Sequence, residues 1–306
     1  MDANLKVLYA AVEANYGVAE TLTQAMLCRV TDFATRQGTL KEMNYVRAHY
    51  GAEKSLYMGT YSKINVEFEL TPHATAGTLP LWHPLMRCCG RDMIASTLPD
   101  EVTSDLVSLG HESATIGFHM DGELHTMVGC KGRGGLSINS DDHLIWSGEI
   151  WGITVEPTTA ALPSPDLSGF QEPLPITNGN CVFSLHGHAG VLNSLDLNDG
   201  YNLVHRNKPG MQAIVLDDRN PGGSIQLDLP PIGTKNYHAI IKNHDTGALT
   251  ITLGSVSGNI VVVSCPKVQL INPTFPETDG VIQLAAGLKL LPNSDGGDDE
   301  WKITLK

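Results

Sequence analysis

The most constraining feature of this chain is a strictly alternating segment, followed by a succession of patterns that occurs twice. In Ile64-Asn65-Val66-Glu67-Phe68-Glu69-Leu70, apolar and polar residues alternate without a break. Side chains of a strand point to opposite faces with period two. Ile64, Val66, Phe68 and Leu70 therefore share one face, and Asn65, Glu67 and Glu69 the other. A strand with one dry and one wet face belongs in an antiparallel sheet. A loop of Gly, Thr and Pro follows, and then the apolar run 81–89, which Gly90 stops. That run is long enough for about two helical turns.

The order then returns. Ser224-Ile225-Gln226-Leu227-Asp228-Leu229 alternates in the same way, Pro230-Pro231 breaks it, and residues 235–242 form a second short helical run. Past each helix the chain reads as two strands joined by a turn, at Asp121-Gly122 in one copy and Ser257-Gly258 in the other. The two turn glycines lie 136 residues apart, Cys130 and Cys265 lie 135 apart, and Ile145 and Ile282 lie 137 apart. Ile64 and Ile225 lie 161 apart, so about 25 more residues separate strand from hairpin in the first copy. Upstream, Asn44-Tyr45-Val46-Arg47 matches Asn202-Leu203-Val204-His205 at a spacing of 158. The spacings describe a diverged internal duplication.

The expected organisation is mainly β, with two tandem antiparallel domains at 25–156 and 181–292, each flanked by a short helix. Residues 157–180, with five prolines and polar residues between them, read as a linker. Residues 1–24 place Leu5, Leu8, Ala11 and Val12 at helical spacing, which predicts a docked N-terminal helix or arm. The segment 34–63 is polar and aromatic and reads as a long hairpin or excursion, and 92–112 as an aperiodic insertion. Residues 293–306 form the C-terminal tail: 293–300 are acidic and Gly-rich and read as mobile, ahead of a short terminal strand at 301–306. A chain of 306 residues suffices for two domains, each with its own core. Only 17% of its residues are charged, and its 31 glycines and 17 prolines suit strands and turns.

A net charge of −13 argues against gripping nucleic-acid phosphates. No apolar run approaches the roughly 20 residues that span a bilayer. The acidic opening Met1-Asp2-Ala3-Asn4 lacks the features of a signal peptide. Cys28, Cys88, Cys89, Cys130, Cys181 and Cys265 are scattered, so free thiols in a reducing cytoplasm are expected.

No catalytic constellation emerges. His186-Gly187-His188 would put two imidazoles on one face of a strand, but no third ligand stands near in sequence. His111-Glu112 lacks the helical spacing of a zinc protease. Lys131-Gly132-Arg133-Gly134-Gly135 lacks the Gly-Lys-Ser/Thr ending of a phosphate loop and reads as a turn. Residues 136–139 and 144–155 read as a hairpin across Asp141-Asp142. The acidic stretch 217–223 lacks the ligand spacing of a calcium loop and reads as a turn with self-paired charges. Glu67 and Glu69 share one face of a strand and are expected on a solvated or lumen-facing stripe. No cofactor or metal is expected.

Several motifs together resemble the tail tube (major tail) proteins of tailed bacteriophages. They are Glu13 with Tyr16-Gly17, then Ala76-Gly77-Thr78-Leu79-Pro80 and Leu85-Met86-Arg87-Cys88-Cys89-Gly90. Gly110-His111-Glu112-Ser113 leads into Met120-Asp121-Gly122, and Leu270-Ile271-Asn272-Pro273 precedes Asp279-Gly280 and Leu290-Leu291-Pro292. The resemblance covers nearly the whole chain and departs from the pattern around 131–142. It implies a β-barrel or sandwich that self-assembles into rings stacked as a hollow tube, without catalytic residues. It implies partners among the other tail proteins (tape measure, terminator, baseplate) and viral DNA passing the lumen without specific binding. It also implies a virion location after assembly in the host cytoplasm, with no membrane anchor. With two copies per chain, three chains would complete a ring of six barrels. A ring-forming terminator or baseplate protein is the alternative within this class. A secreted adhesin should carry a signal peptide, and a β-rich glycosidase should show paired carboxylates in a cleft.

Overall fold

The computed structural model describes residues 4–97, 99–140 and 142–306, and among them the chain forms twenty strands and two short helices. In chain order the first part holds β1 (Lys6–Val12), β2 (Ala25–Met26), β3 (Arg29–Glu42), β4 (Ser55–Glu69) and α1 (His83–Arg87). It continues with β5 (Ile94–Thr97), β6 (Asp100–Ser104), β7 (Ala114–Met120), β8 (Glu123–Asn139), β9 (Ile145–Thr154) and β10 (Thr158–Thr159). The second part holds β11 (Cys181–Leu185), β12 (Leu192–Asn198), β13 (Tyr201–Lys208), β14 (Met211–Arg219), β15 (Gly222–Asp228) and α2 (Tyr237–Asn243). β16 (Thr246–Leu253), β17 (Val261–Thr274), β18 (Glu277–Thr278), β19 (Val281–Leu290) and β20 (Lys302–Leu305) complete it.

Every ladder is antiparallel. One eight-stranded sheet runs β3–β4–β9–β8–β12–β15–β19–β17. The long strands β8 and β17 leave this sheet at their N-terminal halves and join a second layer. There β8 pairs with β7, which carries β1 and β2, and with β10. Likewise β17 pairs with β16, which carries β11, and with β20, which carries β6 and β5. The order β1–β7–β8–β9–β4–β3 in the first half is thus matched by β11–β16–β17–β19–β15–β12 in the second. No closed barrel is found among the described residues. Among the described residues β13 and β14 pair only with each other.

The alternating segments behave as their pattern dictates. Ile64, Val66 and Phe68 of β4, with Leu70 beyond it, are buried, as are Ile225 and Leu227 of β15. One contiguous apolar cluster runs through both halves, so the cores are not separate. Pro84 enters the first turn of α1, and Pro84, Leu85 and Met86 are its buried residues. Asn236 caps α2 by accepting from the Ala239 N–H at 3.0 Å, and His244 closes it in the left-handed conformation.

Several expectations are corrected. Residues 6–12 form a strand, not a helix: β1 lies between β2 and β7, and this central position buries Leu8, Tyr9 and Ala10 together. Lys131-Gly132-Arg133-Gly134-Gly135 is not a turn but the middle of β8. Its glycines make room for flat neighbours. A Cβ on Gly134 would meet Trp146 at 1.9 Å and one on Gly132 the Cys89 Sγ at 2.6 Å. Trp146 lies across this bare backbone and stacks on Phe68, with ring centroids 5.0 Å apart. Of the Asp141-Asp142 turn, Asp141 lies outside the described residues. The turn at Ser257-Gly258 is not tight, because residues 254–260 form a longer loop with Gly254 and Gly258 both at positive φ.

The tail is held in place. Arg219 donates to Asp298 at 2.8 Å and to Glu300 at 2.8 Å, so its charge is not paired within its own turn. Trp301 is fully buried, with the Arg91 guanidinium 3.7 Å from its ring centre. Arg91 in turn meets Asp199 at 2.7 Å, and both side chains are completely buried. Three distant segments therefore meet at one cation: the stretch after α1, the corner between β12 and β13, and the tail. Removing one member of such a pair strands a charge away from water. We expect Asp199→Asn to lower unfolding free energy by about 3–5 kcal/mol. Arg36→Gln, at the exposed Arg36–Glu156 pair, should change it by at most about 1 kcal/mol. Urea unfolding of the two variants checks the contrast, and equal effects would refute the role given to the buried pair.

Candidate assembly surface

The eight-stranded sheet buries one face against the core and leaves the other polar. Because Ile64, Val66 and Phe68 point inward, Lys63, Asn65, Glu67 and Glu69 point outward. The neighbouring strands follow the same phase, with Ser147, Glu149 and Trp151 on β9 and Arg133 and Ser137 on β8. β12 adds Asp196 and Asn198. An open groove of about 600 Å³ runs over this face, lined by Glu67, Arg133, Ser137, Glu149, Asp196 and Tyr201 among others.

Charges on this face are tied across the rungs. Arg29 lies 3.6 Å from Glu67 and 2.7 Å from Glu69. Lys63 and Arg133 flank Glu149 at 3.0 and 2.7 Å, and the Trp151 indole donates to it at 3.0 Å. Burial alone would raise the Glu149 carboxyl, but these donors bring it down to about 2. Glu67 and Glu69 thus stand on the wet face as expected from strand phase, but each has a cation beside it. No local pattern reveals Arg29 beside Glu67 and Glu69, or Lys63 and Arg133 beside Glu149, because the partners come from different strands.

Two hairpins leave the sheet at the corresponding place in each half. Beyond Ala34 and Lys63, β3 and β4 continue as an arm that ends in the loop 43–54. Leu40, Tyr45, Val46, Tyr50, Tyr57 and Met58 are all exposed on it. Glu53 organises the tip by accepting from the Tyr45 N–H at 2.8 Å and pairing with Arg47 at 3.0 Å. The second hairpin, β13–β14, turns tightly at Pro209-Gly210 and leans on the base of the first. Gln212 Nε2 donates to the Thr60 carbonyl at 2.9 Å, and the His205 ring lies 4.8 Å from that of Tyr61. Gly59, at φ 60°, leaves space for Asn207, which a Cβ there would meet at 2.8 Å. The residues matched at 44–47 and 202–205 both fall within these hairpins, the first at a tip and the second on a strand.

The remaining candidates do not converge. His186 has φ 50° and Gly187 φ 76°, so His186-Gly187-His188 forms a turn after β11, not a strand face. Among the described residues no group of three or more His, Cys, Asp or Glu could hold a metal ion. Glu112 is engaged by Arg87, and His111 Nε2 lies 2.7 Å from the Val107 carbonyl oxygen. Glu13 is buried and accepts from the Gly17 N–H (2.8 Å), the Gly129 N–H (2.7 Å), Ser113 (2.6 Å) and Thr115 (3.0 Å), a structural pin.

A carboxyl with a lowered folded-state pKa stabilises the fold above its unfolded value and loses that contribution as pH falls through the folded value. For Glu149 the window runs from its ordinary value of 4.5 down to about 2. Glu149→Gln should therefore be less stable than the parent at pH 7, by on the order of 1 kcal/mol. The gap should close as the pH approaches 2. Denaturant midpoints of both proteins across this range test it, and a gap unchanged at low pH would refute it.

A search of curated proteins returned no match. The family model described as phage tail tube protein matches residues 3–290, nearly the whole chain. On that match the chain belongs to the phage tail tube protein family.

Proposed function

We propose that this chain is a structural protein of the phage tail that assembles head to tail into rings, and that the rings stack into a tube conducting DNA at ejection. The observation that carries the reading is the β8–β12 ladder, in which Leu136 pairs with Leu197 and Ser137 with Asp196. It fuses the strands of two similarly ordered halves into one sheet, and a sheet with unpaired edges can be continued by further copies. Each half then acts as one tube-type domain, 25–156 and 181–292, joined by 157–180. Three chains would supply six such units, giving a ring with three-fold symmetry that is only pseudo-six-fold. Heterologous contacts of this kind close into rings when the rotation allows.

In this arrangement the polar face lines the lumen, with Glu67 and Glu69 on its wall. Arg29, Lys63 and Arg133 are each held by a carboxylate of the same chain. A passing phosphate backbone then meets cations whose charge is already compensated, and binding that depends on releasing counterions from phosphates is weak. The net charge of −13 acts in the same direction. The long arm, with its exposed aromatic and aliphatic side chains, would reach the adjacent ring and be covered there.

Negative-stain microscopy and sedimentation of the purified protein should show rings or tubes. Monomers alone at high concentration, with no such protein in tail tubes of intact particles, would falsify the assembly reading. A reconstruction should count three chains per ring, and six equivalent chains would rule out the trimer. Replacing Tyr45, Val46, Tyr50, Tyr57 and Met58 together by Ser should leave the fold and the rings intact while shortening or abolishing tubes. Tubes of unchanged length would remove the arm from stacking.

A further inference from the structure

The in-chain junction between the halves can be compared rung by rung with the two open ends of the eight-stranded sheet. At one end lies β3, which among the described residues pairs with β4 alone. Its ladder has the same form as that of β12. Val30↔Val66 and Phe33↔Ile64 correspond to Leu192↔Leu227 and Leu195↔Ile225, and the register shift falls at the same place, between Val30 and Asp32 and between Leu192 and Ser194. At the other end β17 and β18 follow the plan of β8. Arg133↔Glu149, Leu136↔Trp146 and Ser137↔Ile145 are matched by Thr274↔Ala285, Glu277↔Ile282 and Thr278↔Val281. In the first half the outer side of this strand is occupied by β12. In the second half it has no ladder among the described residues.

Burial changes accordingly. The ladders match Ile282 to Trp146, not to Ile145 as the spacing of 137 suggested: Trp146 is 0% exposed at the junction, whereas Ile282 is 55% exposed at the open end, beside exposed Phe275 and Val281. Leu195 is 0% exposed, whereas its counterpart Phe33 is half-buried. Along the β3 edge runs an open groove of about 750 Å³ with Val30, Phe33, Tyr57, Phe118 and Met120 in its lining. The backbone phase also fits. At the junction the Gly134 carbonyl turns outward to accept from the Asp199 N–H at 3.0 Å. In the second half the Pro276 carbonyl turns inward, accepting from the Gln283 N–H at 2.8 Å, so alternation turns the N–H and C=O of Glu277 to the open side. The N–H that proline lacks is on the inner side, and the edge loses nothing by it.

We infer that the β17–β18 end receives β3 of a second copy of this chain, with Thr278 opposite Ala34 of that copy, as Ser137 stands opposite Asp196 within the chain. This rests on the ring reading above and specifies its contact. The partner strand completes the backbone pairing of both edges and covers Ile282 and Phe275 on one copy and Phe33 on the other.

Paired cysteines test the register. On such a rung the Cα atoms are about 4.5 Å apart, within disulfide reach, while a two-residue shift adds about 7 Å. The doubly substituted Thr278→Cys/Ala34→Cys chain is assembled under reducing conditions and then oxidised. Non-reducing electrophoresis should show covalent dimers and trimers, with the ladder ending at the trimer. The single variants and the shifted pair Thr278→Cys/Arg36→Cys should give little or none of this product. Assembled rings without cross-linking, or with the shifted pair linked instead, overturn the register while the ring reading stands. Absence of rings from the unsubstituted protein overturns the ring reading itself. If the double variant fails to assemble, a reconstruction of the unsubstituted ring decides by whether Thr278 lies beside Ala34 of the next chain.

Discussion

Backbone pairing at strand edges is the constraint on which the rest of this molecule depends. Each non-proline residue carries one N–H and one C=O that must find partners when buried. In a two-layer protein made of strands, most of those partners lie on other strands. β8 meets this demand along its whole length by changing neighbours, with β7 and β10 at its start, β9 through its middle and β12 at its end. β17 repeats the scheme with β16, β20 and β19. The halves are held together because the last rungs of β8 are satisfied by β12 of the second half. Among the described residues the same demand remains open at the outer sides of β3 and β18.

Side-chain packing follows from this arrangement. Sharing one strand between two layers brings backbones close, and the close approaches fall on glycine. Gly132, Gly134 and Gly148 leave no room for a Cβ beside Cys89, Trp146 and Trp146 respectively. The indole fills the space that side chains at 134 and 148 would have taken, and stacks on Phe68. Where backbone and apolar packing could not join the segments, a buried ion pair does. Arg91 and Asp199 are fully desolvated, and such a pair is sustained only with additional contacts, here Trp301 over the guanidinium and the Ser104 carbonyl at 3.4 Å. Burial pushes the Asp199 carboxyl up while Arg91 pulls it down, so the pair depends on remaining closed. β20, immediately after Trp301, pairs with both β17 and β6, so the end of the chain fastens the second half to the first.

Much of this was legible from the residues. The alternation at 64–70 and 224–229 located two sheet strands and their dry faces, because period two is a direct consequence of strand geometry. Gly90, the broken runs after each strand and the Asp121-Gly122 turn marked the short helices and one hairpin, since these residues act on the backbone locally. The wet face of Glu67 and Glu69 was also readable from phase alone. The misreadings have one physical origin. Residues 6–12 carry apolar groups that suit either a helix or a central strand, and only the neighbours β2 and β7 decide between them. The glycines at 132, 134 and 135 looked like a turn because nothing local reveals a tryptophan from β9 lying over them.

The sequence by itself determined which segments are strands with one apolar face, that the strand–helix–hairpin succession occurs twice, and the family to which the chain is similar. Tertiary structure decided what those strands pair with, because a backbone edge is chemically the same on every strand and only geometry assigns its partner. It also decided the charge state of the wet face. Arg29, Lys63, Arg133 and Glu149 are far apart along the chain, and their compensation exists only after β3, β4, β9 and β8 lie side by side. The tail looked loose for the same reason. Its acidic and glycine-rich composition favours solvent, and Arg219 and Arg91 reach it only when the two halves have folded against each other.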